Sequence, residues 1–490
     1  METPNHNDHQ HFLLCPFMAQ GHMIPMVDMA ILFAQRGVYV SFITTPLNAS
    51  RVRPAIDRAS CCANLSIRLV ELRFPCAEAG LPEGYENIDA IPHLGSGEHF
   101  KRFFEAIDLL KEPLERFLSK DDFFPPPTCV ISDKLLPFTQ DIARGVGIPR
   151  LVFHGMCCYS LLVMESVRRH GLWVSADETE EETVTIPDVP CRLEMKRGHL
   201  MKPMSLTGFA DFEGRAVKAE AEADGVVVNS FDELEAQFIE AYVKMMGKKA
   251  YNVGPLSLCK GGVQAERGNK SSIDQDKCLS WLDSHEAGSV VYVSFGSIAR
   301  LGLQQATEIG EALKGSGRPV VWVIKSGETE SWVSRFGEGL DWLVIVGWAP
   351  QVAILSHKAV GGFVTHCGWN STVEALCAGV AMVTWPRFAE RFMNERVVVE
   401  VLEVGVRVGI EVRTWLGEEV LVGREEIGVA LERMMGGEEE GEERRRRVRE
   451  VGEMARKVME VGGSSFMNMT MLIEDVKGYQ KEKRATNAIP

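Results

Sequence analysis

The strongest constraint in this sequence is an alternation that occurs twice. Short apolar runs rich in β-branched residues are each followed by a stretch of helical character, and two such series are separated by a polar segment. The first series is FLLCPF (12–17), YVSFIT (39–44), CVISD (129–133), RLVFH (150–154) and ADGVVVNS (223–230). A helix is predicted between its first two runs, from about Ile24 to Arg36, with Pro25 in its first turn. The second series is SVVYVSF (289–295), PVVWVI (319–324), WLVIV (342–346), AVGGFVTH (359–366) and AMVTW (381–385). Strand–helix alternation implies a parallel sheet covered on both faces. The stretch between Gly254 and Lys277 is polar, carries Gly and Lys, and has no period, so it reads as a linker. The predicted class is therefore α/β, with two doubly wound, Rossmann-like halves. Their expected bounds are 1–253 and 278–463, with 254–277 between them and a C-terminal segment 464–490 whose last dozen residues are expected to be disordered. Ligands in open α/β sheets bind beyond the carboxyl ends of the strands, which places the expected site in a cleft between the halves.

Charge and cysteine usage remove several function classes. Lys and Arg number 53 against 68 Asp and Glu, a net charge of −15. No cation excess exists to attract nucleic acid or an anionic membrane. The 12 cysteines include no C-x-x-C pair and many sit in apolar runs, so buried reduced thiols are expected and a zinc site is not. The N-terminal METPNHNDHQ lacks the basic-then-apolar order of a signal peptide, and no run reaches the roughly 18 apolar residues of a membrane span. A cytoplasmic, soluble monomer is the expectation. The run MMGGEEEGEERRRRVRE (434–450), acidic before basic, reads as a solvated helix.

The common nucleotide and hydrolase fingerprints are missing: no G-x-G-x-x-G, no G-x-x-x-x-G-K-[ST], no G-x-S-x-G, no H-E-x-x-H. The densest candidate is THCGWNSTVEALCAG (365–379), where a strand ends at His366, a turn follows through Gly368, and a helix opens at Asn370–Ser371. Unpaired N–H groups at a helix start can hold a pyrophosphate, and His366, Asn370 and Ser371 add donors. A plainer alternative is a capping box, in which Ser371 and Glu374 serve only the helix end. Taken alone, Trp348 and His366 are equally readable as core.

From Trp348 to Glu390 the chain reads WAPQVAILSHKAVGGFVTHCGWNSTVEALCAGVAMVTWPRFAE, which resembles the signature box of plant secondary-metabolite UDP-glycosyltransferases, inverting enzymes of the GT-B fold. PFMAQGHMIPMVDMA (16–30), TTPLN (44–48), FPCAEAGLPEGYENID (74–89), ISDKLLPF (131–138) and SVVYVSFGS (289–297) resemble further motifs of the branch acting on terpenoid, steroid and phenolic acceptors. The resemblance implies that the C-terminal segment returns to the first domain. It also implies roles. Trp348 stacks on uracil, with Ala349 and Gln351 at its edge; Glu374 accepts from the ribose; His366, Gly368, Asn370, Ser371 and Ser297 surround the phosphates; Trp369, Glu390 and residue 391 face the sugar. His22 is the implied base and Asp133 its partner. A cation is disfavoured at a helix N-terminus, so the start of the first helix is expected to keep His22 neutral. UDP-sugar is a co-substrate, and neither a metal nor another cofactor is expected.

Two positions depart from the box. Ala381 stands where Pro is usual, and Arg391 where glucosyltransferases of the family carry Gln. Glucose is the expected sugar, but Arg391 opens an alternative donor: UDP-glucuronic acid through a guanidinium–carboxylate pair, or UDP-xylose, UDP-arabinose or UDP-rhamnose. Arg391 paired with Glu390 or Glu395 would instead be structural. Phe100, Phe103, Phe104, Met156, Met164, Met201 and Met204 suggest an adaptable apolar acceptor pocket for a ring-fused lipophile, and the resemblance implies that this is a hydroxylated metabolite of triterpenoid, steroid or flavonoid type. Two rival classes are a catalytically silent lipophile-binding protein and an NAD-dependent oxidoreductase.

Overall fold

The computed structural model describes residues 9–91, 97–119, 125–173, 179–200, 209–259, 267–411 and 420–487. The predicted Met201 and Met204 lie outside them. Fifteen strands occur among the described residues. The first sheet contains β1 (His11–Cys15), β2 (Tyr39–Thr44), β3 (Ile67–Glu71), β4 (Cys129–Asp133) and β5 (Arg150–His154). A small antiparallel hairpin follows, β6 (Thr183–Thr185) with β7 (Glu194–Lys196), before the first sheet resumes with β8 (Gly225–Val228) and β9 (Ala250–Asn252). The second sheet is built from β10 (Val290–Ser294), β11 (Val320–Ile324), β12 (Trp342–Val346), β13 (Val360–Thr365), β14 (Ala381–Thr384) and β15 (Gly405–Arg407).

Strand order is 3-2-1-4-5-8-9 in one sheet and 12-11-10-13-14-15 in the other, and every pairing in both is parallel. This is a doubly wound fold repeated. Each order reverses at one place, β1 beside β4 and β10 beside β13, and the crevice at such a reversal is where open α/β sheets receive ligands. His22 follows β1 and Asp133 ends β4. The Gly296–Ser297 turn follows β10 and His366 follows β13. These four predicted site residues therefore lie at the two switch points. Central strands β1, β4, β5, β8 and β10 are buried along their whole length, which accounts for their unbroken apolar runs.

Several elements differ from the sequence reading. The first helix runs Gln20–Ala34, so Pro25 lies inside it and not in its first turn. The C-terminal helix continues from Ser464 to Asn487 through most of the stretch expected to be disordered. Met469, Leu472, Ile473 and Val476 on that helix join the core beneath β1, β4 and β9. The charged run does form a helix, Glu439–Val458, with Arg446 paired to Glu443 and Glu450 on its surface. Arg444, however, is buried and donates to the Arg433 carbonyl. Among the described residues all cysteines are free thiols, and no helix is long and apolar enough to cross a membrane.

Arg150 supports the end of β4 from below. It is fully buried, and donates to Ser132 Oγ at 2.8 Å, Thr139 Oγ1 at 2.9 Å and the Ala219 carbonyl at 3.0 Å. Burial pushes its pKa down to about 10, still cationic at neutral pH. Arg150→Met removes the donor to Ser132 Oγ and to the Ala219 carbonyl, while Ser132 and Thr139 keep the hydrogen bond between their hydroxyls. It is expected to lower stability by about 3 kcal/mol, read as an earlier urea midpoint.

Candidate active site

A cavity of about 980 Å³ lies between the two sheets, with His22 and Asp133 on one wall and the Trp369–Ala378 helix on the other. The imidazole Nδ1 of His22 lies 2.6 Å from Asp133 Oδ2. Asp133 is 3% exposed at its side chain and His22 38%, so the dyad is rooted in the core and opens into the cavity. The second Asp133 oxygen accepts from the Leu135 N–H at 2.9 Å, which fixes the carboxylate plane.

Burial alone would lower the His22 pKa, but the Asp133 carboxylate, with Glu390 further off, raises it above the ordinary histidine value. Beside the helix start, which disfavours a cation, the ring therefore also feels a carboxylate at hydrogen-bond distance, which favours one. Burial would raise the Asp133 pKa, and His22 instead holds it below the usual carboxylate range. An ionised Asp133 thus orients the ring and places its proton on Nδ1, leaving Nε2 as the acceptor.

The opposite wall starts at β13. Thr365 is followed by His366, then Cys367 in the left-handed region (φ 62°), then Gly368 as the extended cap of the helix. No side chain caps this helix, so the capping-box reading of Ser371 and Glu374 fails. Both residues turn inward: Gln351 Nε2 donates to Ser371 Oγ at 3.0 Å and to Glu374 Oε2 at 2.8 Å, while Tyr292 donates to Gln351 Oε1 at 3.2 Å. The uncapped N-terminus faces the cavity and is available to an anion.

His366 is 6% exposed and wedged between two glycines. A Cβ on Gly296 would come 2.5 Å from its Nε2, and one on Gly368 2.6 Å, so only glycine fits either place. Burial first, then Arg391, Arg387 and Lys325, push the His366 pKa well below its ordinary value. His366 is therefore neutral, and the local positive charge is carried by its neighbours. Lys325, brought down to about 8 by burial and Arg300, donates to the Ser297 carbonyl.

Arg391 is 7% exposed, and its guanidinium carbon lies 3.5 Å from the centroid of the Phe388 ring. Its Nη1 is buried without a hydrogen-bond partner among the described residues. Neither structural pairing considered from sequence forms: Glu390 accepts from Asn394, and Glu395 from Thr384 and Arg407. Burial lowers the Arg391 pKa to about 10 against the pull of Glu390.

The walls touch at the site itself. Pro25 has no N–H to give the Gly21 carbonyl four residues back. That carbonyl instead accepts from Asn370 Nδ2 at 2.7 Å, linking the residue before His22 to the helix opposite. Trp369 Nε1 donates to the Asn229 carbonyl at 2.7 Å. All fourteen predicted site residues line the cavity, including Trp348, Ala349 and Glu390. Of the predicted acceptor residues, Phe100, Phe104, Met156 and Met164 line it, whereas Phe103 is fully buried in the core behind. Sequence reading missed Arg267. It lies in the supposed free linker but is 10% exposed at its side chain and ion-paired to Asp28 and Glu374.

Comparison with known proteins agrees with this geometry. Residues 11–258 match the family model described as glycosyltransferase, N-terminal domain, and residues 228–426 the model for UDP-glucuronosyl and UDP-glucosyl transferases. UDP-glycosyltransferase 73C1 of Arabidopsis thaliana is 44% identical over 97% of this chain and 98% of its own length. UDP-glycosyltransferase 73E1 of Stevia rebaudiana is 45% identical over 95% and 96%. The crystal structure of Glycyrrhiza uralensis UGT73P12 complexed with glycyrrhetinic acid 3-O-monoglucuronide superposes with a TM-score of 0.88 at 34% identity, covering 98% of each chain. Repeated doubly wound sheets, a cleft at their switch points and whole-length similarity lead to one conclusion: the chain belongs to the plant UDP-glycosyltransferases, GT-B enzymes that move a sugar from a UDP-sugar to a small metabolite.

Proposed function

We propose that the chain transfers a sugar to a hydroxyl of a ring-fused lipophilic metabolite by a single inverting displacement, with His22 as general base. The observation that carries this is the 2.6 Å His22–Asp133 contact facing an uncapped helix N-terminus across one cavity. His22 Nε2 removes the acceptor hydroxyl proton as that oxygen attacks the anomeric carbon. Asp133 stabilises the imidazolium that forms. The bond from the anomeric carbon to the UDP oxygen breaks, and the departing charge meets the N–H groups of the helix start, Asn370, Ser371 and Ser297, with neutral His366 as a further donor. Trp348 stacks on uracil, Ala349 and Gln351 meet its edge, and Glu374 accepts from the ribose hydroxyls. Gly368 lets the chain approach the phosphates, and Trp369 and Glu390 bound the sugar.

Glucose is the first reading for the sugar. Glucuronic acid is the second, because Arg391, a cation, lines the cavity beside Glu390 and forms no ion pair with it. The matching family model covers both sugars by its description. For the acceptor, the Glycyrrhiza structure holds a triterpenoid glucuronide, and the Phe100, Phe104, Met156 and Met164 wall suits a lipophile of that breadth.

Mass spectrometry of products from a matrix of UDP-sugars and triterpenoid, steroid and flavonoid acceptors tests both parts. Product with UDP-glucose that is unchanged in Arg391→Gln supports glucose. Product with UDP-glucuronic acid that falls on the order of 10-fold or more in Arg391→Gln supports the second reading, since a charge-assisted pair is lost. No UDP release with any pairing contradicts the proposal.

A further inference from the structure

The segment 267–272 crosses from the first helix to the donor side of the cavity. Arg267 Nη1 lies 2.6 Å from Glu374 Oε1, and its Nη2 and Nε lie 2.6 and 3.1 Å from Asp28 Oδ2. The side chains of Asp28, Arg267 and Glu374 are 3%, 10% and 6% exposed, so the triad is out of water. The Arg267 carbonyl accepts from Trp348 Nε1 at 3.1 Å. Gly268, in the left-handed region at φ +83°, lies against the indole so closely that a Cβ there would come 2.4 Å from it. Ser272 exchanges two hydrogen bonds with the Trp348 backbone, and Gln20 donates to Asn269.

Asp28 and Glu374 are two buried carboxylates that meet through one guanidinium. Without it the two would repel, with no group between them to hold either in line. A carboxylate that is to accept two ribose hydroxyls must be held in one plane with a lone pair open on each oxygen. Arg267 occupies one lone pair of Oε1 and Gln351 one of Oε2, which leaves acceptor capacity on both oxygens.

We infer that Arg267 is a positioning residue for the donor: it holds the Glu374 carboxylate in place and aimed at the ribose, and so makes the segment 267–272 part of the nucleotide site. This rests on the reading that Glu374 meets the ribose. The test compares the binding of UDP and 2′-deoxy-UDP to the full chain by calorimetry, with thermal melting as the check on folding.

Wild type is expected to prefer UDP by ~10- to 100-fold, the range for a hydrogen bond to a charged group. Arg267→Gln should collapse that preference towards unity while the affinity for 2′-deoxy-UDP changes little. Adding Asp28→Asn, which removes the competing charge, should restore part of it. Should R267Q not fold, R267K, which keeps the charge but lacks the fork, takes its place with an intermediate preference expected. A preference left intact in the folded Arg267 variant, or tighter UDP binding because the segment competes with donor, overturns the inference. Glu374→Gln separates the two levels. If it abolishes the preference while R267Q keeps it, only the role of Arg267 fails; if it too keeps the preference, the ribose reading fails and takes this inference with it.

Discussion

Replacing His22 with alanine is expected to lower kcat by about 10²- to 10⁴-fold, the range for loss of a positioned general base, with little change in donor affinity. The imidazole is held at 2.6 Å from Asp133, on the wall opposite the helix that would hold the donor phosphates. Its removal therefore costs the proton transfer and not the site. UDP binding by His22→Ala, measured alongside turnover, checks that division. A variant that turns over at near-native rate would remove His22 from the mechanism.

The second large effect is expected from Asp133→Asn. A carboxamide can present its N–H₂ to Nδ1, which selects the wrong tautomer and places the proton on the nitrogen that should accept one. The analogous change in serine proteases costs about 10⁴ in kcat, and a loss of similar order is expected. The pH profile gives an independent reading. His22 has its pKa raised by Asp133 against the lowering effect of burial. The base works only when neutral, so kcat/KM of the wild type should fall as pH drops through a value above the ordinary histidine range of about 6.5. Without the carboxylate, burial is the leading influence, and the acid limb of Asp133→Asn should move to lower pH. An unshifted limb would assign that titration to another group.

Much of this site was legible because its residues sit where strands end. Apolar runs mark β1, β4, β10 and β13, and the polar residues just past them, His22, Asp133, Ser297 and His366, fall at the two switch points. The short edge elements were not legible. β9 and β15 have three residues each, too few to show a period, and the register of a sheet edge is set by the neighbour it joins.

Local rules misled where tertiary contacts replaced them. Ser371 and Glu374 have the spacing of a capping box, yet Gln351 and Arg267 draw both away from the helix end. Arg267 was missed because its partners are 239 and 107 residues distant, and a polar stretch of chain gives no sign that one of its cations is buried. Pro25 had the opposite fate: displaced from the predicted first turn, it frees the Gly21 carbonyl that binds Asn370.

In the proposed single displacement, His22 and the acceptor stand at one face of the sugar, opposite the departing UDP. Proton NMR of the purified product gives the anomeric configuration directly. From an α-configured UDP-glucose or UDP-glucuronic acid, the account predicts a β-linked product, seen as the large coupling between axial protons on the first two sugar carbons. An α-linked product would require two displacements or a front-face attack, and would contradict it.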